Sequence, residues 1–313
     1  MTALVRPARR EVRSRIFDSA AWARYQPRDG DIVIGTFPKC GTTWTQRIVS
    51  MLLAGGAEPA PVAGPWPDFR LGPPLEVTLA TAEAIEGRRH LKTHLPYDSL
   101  PLYEGVKFIH VARDGRDSAL SYHNHLRGFQ PTVWDVIDGI SRADPKFGGD
   151  APRPAENPGV FFREWLKDGG ASGDPGASYW ELEPSYWAAR REPHMLLVHY
   201  NDLKADRAAE IGRIARFLEI DLAPAVLAEI VEAADFDAMK SDGEKLMPNA
   251  ERAWVAGSQT FLHKGVNGRW RGLFDQADLA AYEAKVAEAF TPGLAAWLEG
   301  GRLIAGDPAQ APD

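Results

Sequence analysis

Residues 31–44 read Asp-Ile-Val-Ile-Gly-Thr-Phe-Pro-Lys-Cys-Gly-Thr-Thr-Trp, and no other stretch constrains the fold as tightly. The apolar run Ile32-Val33-Ile34 leads through Gly35 into a short loop, and a helical pattern follows to about Leu53. This is a strand–loop–helix layout in which glycine lets backbone N–H groups turn onto an anion at a helix N-terminus. A nucleotide-triphosphate loop ends in Gly-Lys-[Ser/Thr], whose lysine reaches the outer phosphates. Here Gly41-Thr42-Thr43 stands at that end, and Lys39 lies two residues before the glycine. The pattern implies a phosphate ligand, and the displaced lysine points away from ATP.

The rest of the chain fits an α/β class. Short apolar strands are expected at Ile32–Phe37, His90–Thr93, Lys107–Ala112 and Met195–Tyr200. Helical patterns lie between and after them, at 42–53, 114–126, 179–191, 208–218, 223–233 and 276–290. Such alternation predicts a single domain with a central parallel β-sheet flanked by helices, built on a P-loop-like nucleotide-binding core. We place the domain at 30–304, after an exposed N-terminal arm or helix at 1–29 and before a disordered tail at 305–313. The Pro/Gly-rich stretches 55–74 and 144–178, the latter interrupted by a short pattern at 161–167, read as loops over a site.

With 313 residues and a net charge of −7, the chain does not suit broad nucleic-acid or anionic-membrane binding, so an anionic ligand needs a local cluster of bases. No apolar run reaches the roughly 18–20 residues of a membrane span. The single Cys40 excludes an internal disulfide framework and suits a reducing, cytoplasmic setting. The arginines at 6, 9, 10, 13 and 15 precede no apolar segment of the secretory kind.

Three further constellations carry chemistry. Lys92 and His94 alternate at the end of a strand, so both can face one crevice at the carboxyl edge of the sheet. A histidine there is the usual general base for a hydroxyl. Arg113 ends the next strand before a helix capped by Asp114, and with Ser121 it can hold a second phosphate; an ion pair with Asp114 or Asp117 is the structural alternative. The segment Phe261-Leu262-His263-Lys264-Gly265-Val266-Asn267-Gly268-Arg269-Trp270 mixes bases and glycines in the manner of another anion cradle. No ligand cluster implies a metal: His123 and His125, two residues apart on a helix, point to different faces.

Together these segments resemble the cytosolic-type sulfotransferases, which use 3′-phosphoadenosine 5′-phosphosulfate (PAPS) and release adenosine 3′,5′-bisphosphate (PAP). The resemblance runs in motif order from about residue 30 to 300. It implies that Lys39, Cys40, Gly41, Thr42, Thr43 and Trp44 form the 5′-phosphosulfate loop, that Lys92 and His94 are the catalytic Lys-x-His, and that Arg113 and Ser121 contact the 3′-phosphate. It further implies that Tyr200, Phe236 and Met239 contact the nucleotide, and that Phe261, His263, Lys264 and Gly265 close over the 3′-phosphate. His263 stands where the family usually has arginine, and Ala234-Asp235 replaces small hydroxyl residues. Arg271–Gln276 lacks the Thr-Val of the family's short dimerisation motif, leaving the oligomer open. Cys40 replaces a common serine, and its place at a helix N-terminus could favour thiolate.

By analogy with in-line phosphoryl transfer, the resemblance implies that His94 accepts the acceptor's hydroxyl proton. Lys39 then neutralises the leaving 5′-phosphate, and Lys92 attends the sulfuryl oxygens. Candidate lining from Phe37, Trp66, Phe69, Tyr97, Phe129, Phe161, Trp165 and Trp180 favours a small apolar alcohol or phenol as the acceptor. A Mg-dependent kinase or NTPase, a catalytically silent nucleotide-binding protein, and a sulfotransferase acting on carbohydrate or peptide are the competing readings.

Overall fold

The computed structural model describes residues 2–58, 64–170, 178–262 and 264–313. Its centre is a four-stranded parallel sheet of order β3-β2-β5-β6, with β2 at Ile32–Thr36, β3 at His90–Thr93, β5 at Lys107–Ala112 and β6 at Met195–His199. A small antiparallel pair, β1 (Leu4–Arg6) with β4 (Leu102–Tyr103), lies apart from it. The main sheet is buried on both faces. Ile32, Ile34, Ile109, Val111 and Val198 join one apolar cluster, whereas Val33, Leu91, Phe108 and Leu197 join another. Alternate residues of one strand thus feed opposite cores, which is why these strands read as unbroken apolar runs.

The register aligns the strands' carboxyl ends: Gly35 lies opposite Thr93, Thr36 opposite Val111, and Ala112 opposite His199. The residue after each of three strands is then His94, Arg113 and Tyr200, and the loop after β2 carries Lys39. Ligands of open α/β sheets bind at this edge. Helix α1 (Thr42–Ala54) follows β2; α2 is Leu75–Ala84; α3 (Gly115–Arg127) follows β5 and starts where the Asp114 carboxylate accepts the Arg116 N–H. Helices α4 (Pro131–Ala143), α5 (Pro158–Asp168) and α6 (Tyr179–Trp187) carry much of the aromatic core.

Two expectations about the ends are corrected. The first 29 residues are not an exposed arm: besides β1, they bury Val12, Phe17, Trp22 and Tyr25. The tail is not loose: Pro308 is buried, its carbonyl accepts from Arg190 Nε at 3.1 Å, and Asp313 accepts from the Gly293 N–H at 2.7 Å. In both, spaced single contacts hold the chain, and such contacts leave no periodic pattern in a sequence. Among the described residues no helix is long and apolar enough to cross a membrane.

Candidate active site

One cavity of about 340 Å³ opens at the carboxyl edge of the sheet. It is lined by Lys39, Gly41, Thr42, Thr43 and Trp44 from the first loop, by Lys92 and His94, and by Arg113 and Ser121. Tyr200, Phe236, Met239, Phe261, Lys264 and Gly265 complete the set. Of the described residues expected from the sequence, Cys40 is absent from this wall. His263 lies outside the described residues. Cys40 is fully buried, with Sγ 3.2 Å from Ser118 Oγ, so its side chain faces the core and only its backbone belongs to the loop. Burial pushes its thiol up, contrary to the thiolate expected from its position.

The loop holds two left-handed turns. Gly41 adopts φ 113°, and Lys39, though not a glycine, adopts φ 70°. Left-handed backbone at a non-glycine residue is uncommon and marks functional turns. The two turns deliver α1 with its first N–H groups toward the cavity. Among the described residues no acceptor meets the amides of Thr42, Thr43 or Trp44; the first bond here runs from the Thr45 N–H to Gly41 O at 3.0 Å. Thr42 Oγ1 lies 2.6 Å from Thr36 Oγ1, which ties the loop to the end of β2.

His94 Nδ1 lies 2.7 Å from the carbonyl oxygen of Thr36. A carbonyl can only accept, so Nδ1 carries the proton and Nε2 keeps its lone pair. Nε2 has no protein partner among the described residues. Burial, aided by Lys92, holds the ring neutral by lowering its pKa well below the usual value. Its walls are Trp66, edge-on at 5.0 Å, and Phe17 at 5.7 Å. Trp66 in turn stacks on Phe69 at 3.9 Å.

The two lysines are held back from full charge. Lys39 Nζ donates to the Phe261 carbonyl at 3.0 Å and sits 4.0 Å from that ring's centre. Lys92 Nζ lies 3.6 Å over the Trp66 ring. Burial brings Lys39 down to about 7, with repulsion from Lys92 and Arg113 adding to it. Burial brings Lys92 to about 7 as well, against the pull of Asp68.

Arg113 is nearly buried, and among the described residues it meets no carboxylate at ion-pair distance. Its guanidinium donates to Asn267 Oδ1 at 2.6 and 3.0 Å and to the Val266 carbonyl at 3.2 Å, and it lies 4.3 Å over the Tyr200 ring. Asp114 pairs with Arg116 and Asp117 accepts the Gly268 N–H, so the ion-pair alternative for Arg113 fails. Tyr200 Oη and Lys204 Nζ both donate to the Gly265 carbonyl, at 3.1 and 2.7 Å. A Cβ on Gly265 would come within 2.5 Å of the Phe236 ring, and its φ is 61°. Trp44 lies edge-on to Tyr200 at 5.4 Å, and its Nε1 donates to Ala234 O at 2.7 Å. A basic pocket, an aromatic shelf and a fixed-tautomer histidine therefore share one cavity.

Some functional neighbours gave no sequence signal. Asp68, 1% exposed, accepts from Trp66 Nε1 at 2.7 Å, Trp22 Nε1 at 2.7 Å and Thr93 Oγ1 at 2.6 Å. It links the N-terminal segment, the loop bearing Trp66 and the end of β3. Burial lifts its carboxyl to about 6. Asn267, which holds Arg113, and Lys204 were also missed, although both stand inside segments the resemblance covers. Of the expected aromatic lining, Trp66, Phe69 and Phe129 face this cavity. Phe37, Phe161 and Trp165 face a second cavity of about 360 Å³ that shares Ile16, Phe17, Pro38, Tyr122 and Leu126 with the first. Tyr97 and Trp180 line neither and pack in the core. His123 meets the Ala155 carbonyl while His125 faces the cavity, on different sides of α3 as their spacing requires. Among the described residues no group of His, Cys, Asp and Glu is gathered as a metal site.

Comparison with known proteins gives one consistent result. Residues 29–291 match the sulfotransferase domain family. A glycolipid sulfotransferase of Mycobacterium bovis is 33% identical, covering 93% of this chain and 94% of its own. Sulfotransferase 1B1 of Mus musculus is 29% identical, with 84% of each chain covered. Among solved structures, mouse sulfotransferase SULT7A1 complexed with PAP superposes with a TM-score of 0.62 at 21% identity, covering 87% of this chain and 88% of that one. That last likeness is one of fold.

Proposed function

The chain belongs to the sulfotransferase family, and from that premise we propose that it transfers a sulfuryl group from PAPS to a hydroxyl of a small apolar alcohol or phenol, with His94 as general base. The observation that carries this reading is the Nδ1–Thr36 hydrogen bond, which leaves a lone pair on His94 Nε2 in the cavity that also holds the anion loop.

The residues fit the donor. Unpartnered amides of Thr42, Thr43 and Trp44, with Lys39 beside them, suit a 5′-phosphosulfate. Arg113, which meets no carboxylate at ion-pair distance among the described residues, and Lys264 suit a 3′-phosphate, with Ser121 beside them. Tyr200, Phe236, Met239 and Trp44 offer an apolar shelf for adenine. When bound, PAPS supplies the sulfuryl group: an O–S bond forms to the acceptor, the S–O bond to the 5′-phosphate breaks, and PAP leaves.

His94 Nε2 takes the hydroxyl proton as the acceptor oxygen attacks, and the Thr36 carbonyl steadies the imidazolium that results. Lys39 balances charge growing on the leaving phosphate, and Lys92 balances charge on the sulfuryl oxygens. Phe17, Trp66 and Phe69 exclude water around the hydroxyl. A larger amphipathic acceptor is a second reading. It is favoured by the adjoining cavity, where Arg15, Arg153 and Trp134 join aromatic walls, and by the glycolipid-specific names of the mycobacterial relatives.

The test is conversion of PAPS to PAP with a panel of phenols, alkanols and alkyl glycosides. His94→Ala should lose about 10²–10⁴-fold in kcat while binding PAP as before. Near-normal turnover in that variant would remove His94 from its role.

A further inference from the structure

Among the polar groups of the cavity that the mechanism leaves without a task, one is a histidine. His125, on α3, lines the same cavity as His94. Its ring is enclosed by aromatic neighbours: Phe129 at 4.9 Å, Trp254 at 5.2 Å and Phe261 at 5.6 Å between ring centres. Phe261 is also the ring over which Lys39 Nζ sits, so His125 and the leaving-group lysine flank one side chain. His125 Nδ1 is buried with no hydrogen-bond partner. Nε2 likewise meets no protein group among the described residues. A buried imidazole nitrogen without a partner is costly, and native interiors rarely keep one without reason. Burial and the nearby Lys39, Lys92 and His94 disfavour its protonation. The ring is therefore neutral, with one N–H donor and one acceptor nitrogen.

An acceptor filling this cavity covers His125 Nε2, since only Nδ1 is sealed off. A purely hydrocarbon body would then leave the imidazole stranded, whereas a second hydroxyl would pair with it. We propose that His125 is a specificity-determining residue that hydrogen-bonds a second hydroxyl of the acceptor, so that the preferred substrates are diols, catechols or sugar-headed amphiphiles rather than simple monohydric alcohols. This deepens the sulfotransferase reading and rests on it. The physical basis is asymmetric: a site with a buried polar group rejects the analogue that cannot pair with it far more strongly than a plain apolar site rejects an added group.

The test uses the full chain saturated with PAP, which blocks turnover, and a matched pair of probes, 4-butylphenol and 4-butylcatechol. Their dissociation constants are measured by calorimetry on the wild type, His125→Phe and His125→Gln. The wild type should bind the catechol about tenfold or more tightly than the phenol. His125→Phe, which keeps an aromatic ring, should abolish that preference, and His125→Gln should restore part of it. A preference that survives in His125→Phe, or equal binding of the two probes by the wild type, overturns the proposal. PAP binding by each protein is read in the same titrations. Its absence from the wild type would bring down the donor reading itself, whereas its presence with unaltered selectivity brings down only the role of His125.

Discussion

The two half-charged lysines make nucleotide affinity depend on pH in a way that can be worked out beforehand. Lys39 and Lys92 each titrate near 7 in the free protein, because burial disfavours their ammonium forms. A bound 5′-phosphosulfate, its phosphate beside Lys39 and its sulfuryl oxygens beside Lys92, favours the charged form and raises both values. The sign follows: affinity is fullest below about 7 and falls as pH rises through that value, until the raised values of the complex are reached. From pH 7 to pH 8 the charged fraction of such a lysine drops from about one half to about one tenth, a loss of about fivefold each and about thirtyfold for both. At pH 7 the complex should take up about one proton, half at each lysine. The second ionisation of phosphate, near 6, acts in the opposite sense at lower pH, so the window from 7 to 9 isolates the lysines. Titration calorimetry of PAPS without acceptor, in buffers of different ionisation enthalpy, measures both quantities. Lys39→Arg keeps a charge at all these pH values and should about halve the logarithmic slope. Affinity that is flat from pH 7 to 8.5 with no proton uptake would refute the reasoning, since it would mean that neither ammonium faces the phosphosulfate.

Other outcomes follow from single contacts. Arg113→Ala should weaken PAP about 10–100-fold, the range of a lost charged hydrogen bond, but weaken adenosine 5′-monophosphate much less; equal losses in competition assays would remove Arg113 from the 3′-phosphate. Gly265→Ala places a Cβ against Phe236 at a left-handed φ, so PAP affinity should drop about tenfold or more, with about 1 kcal/mol of stability lost to strain; unchanged binding would contradict the packing of this loop on the adenine shelf. Asp68→Ala strands Trp22 Nε1, Trp66 Nε1 and the Thr93 hydroxyl and should cost about 3 kcal/mol or more in urea unfolding; a loss under about 1 kcal/mol would show that Asp68 does not tie the N-terminal segment to the cavity wall.

Much of this was legible in the sequence for identifiable reasons. Strands buried on both faces are short apolar runs, so β3 and β5 were found to the residue and β2 and β6 to within one. The loop after β2 was recognisable because a strand-to-helix turn with left-handed backbone demands particular residues at fixed spacing. The Lys-x-His pair was legible because a strand alternates its side chains. What stayed hidden depends on tertiary contact. Phe17 and Trp22 look like scattered aromatics among arginines until Asp68 and His94 are seen beside them. The unpaired state of His125 is a property of its neighbours, and nothing in the string His-Asn-His announces it. Cys40 was misjudged because its position at a helix start said nothing about which way the thiol points. His263 lies outside the described residues, and its part in the 3′-phosphate cradle stays a proposal.

The central claim is that this cavity holds a 3′-phosphorylated adenosine carrying a sulfuryl group, and not a nucleoside triphosphate. Direct calorimetric titration of the wild-type protein with PAP and, separately, with ATP in excess magnesium tests it. The account predicts tight, one-to-one binding of PAP and binding of Mg-ATP weaker by about a hundredfold or more, since the loop lacks the lysine that reaches a γ-phosphate. Equal or tighter binding of Mg-ATP would contradict it.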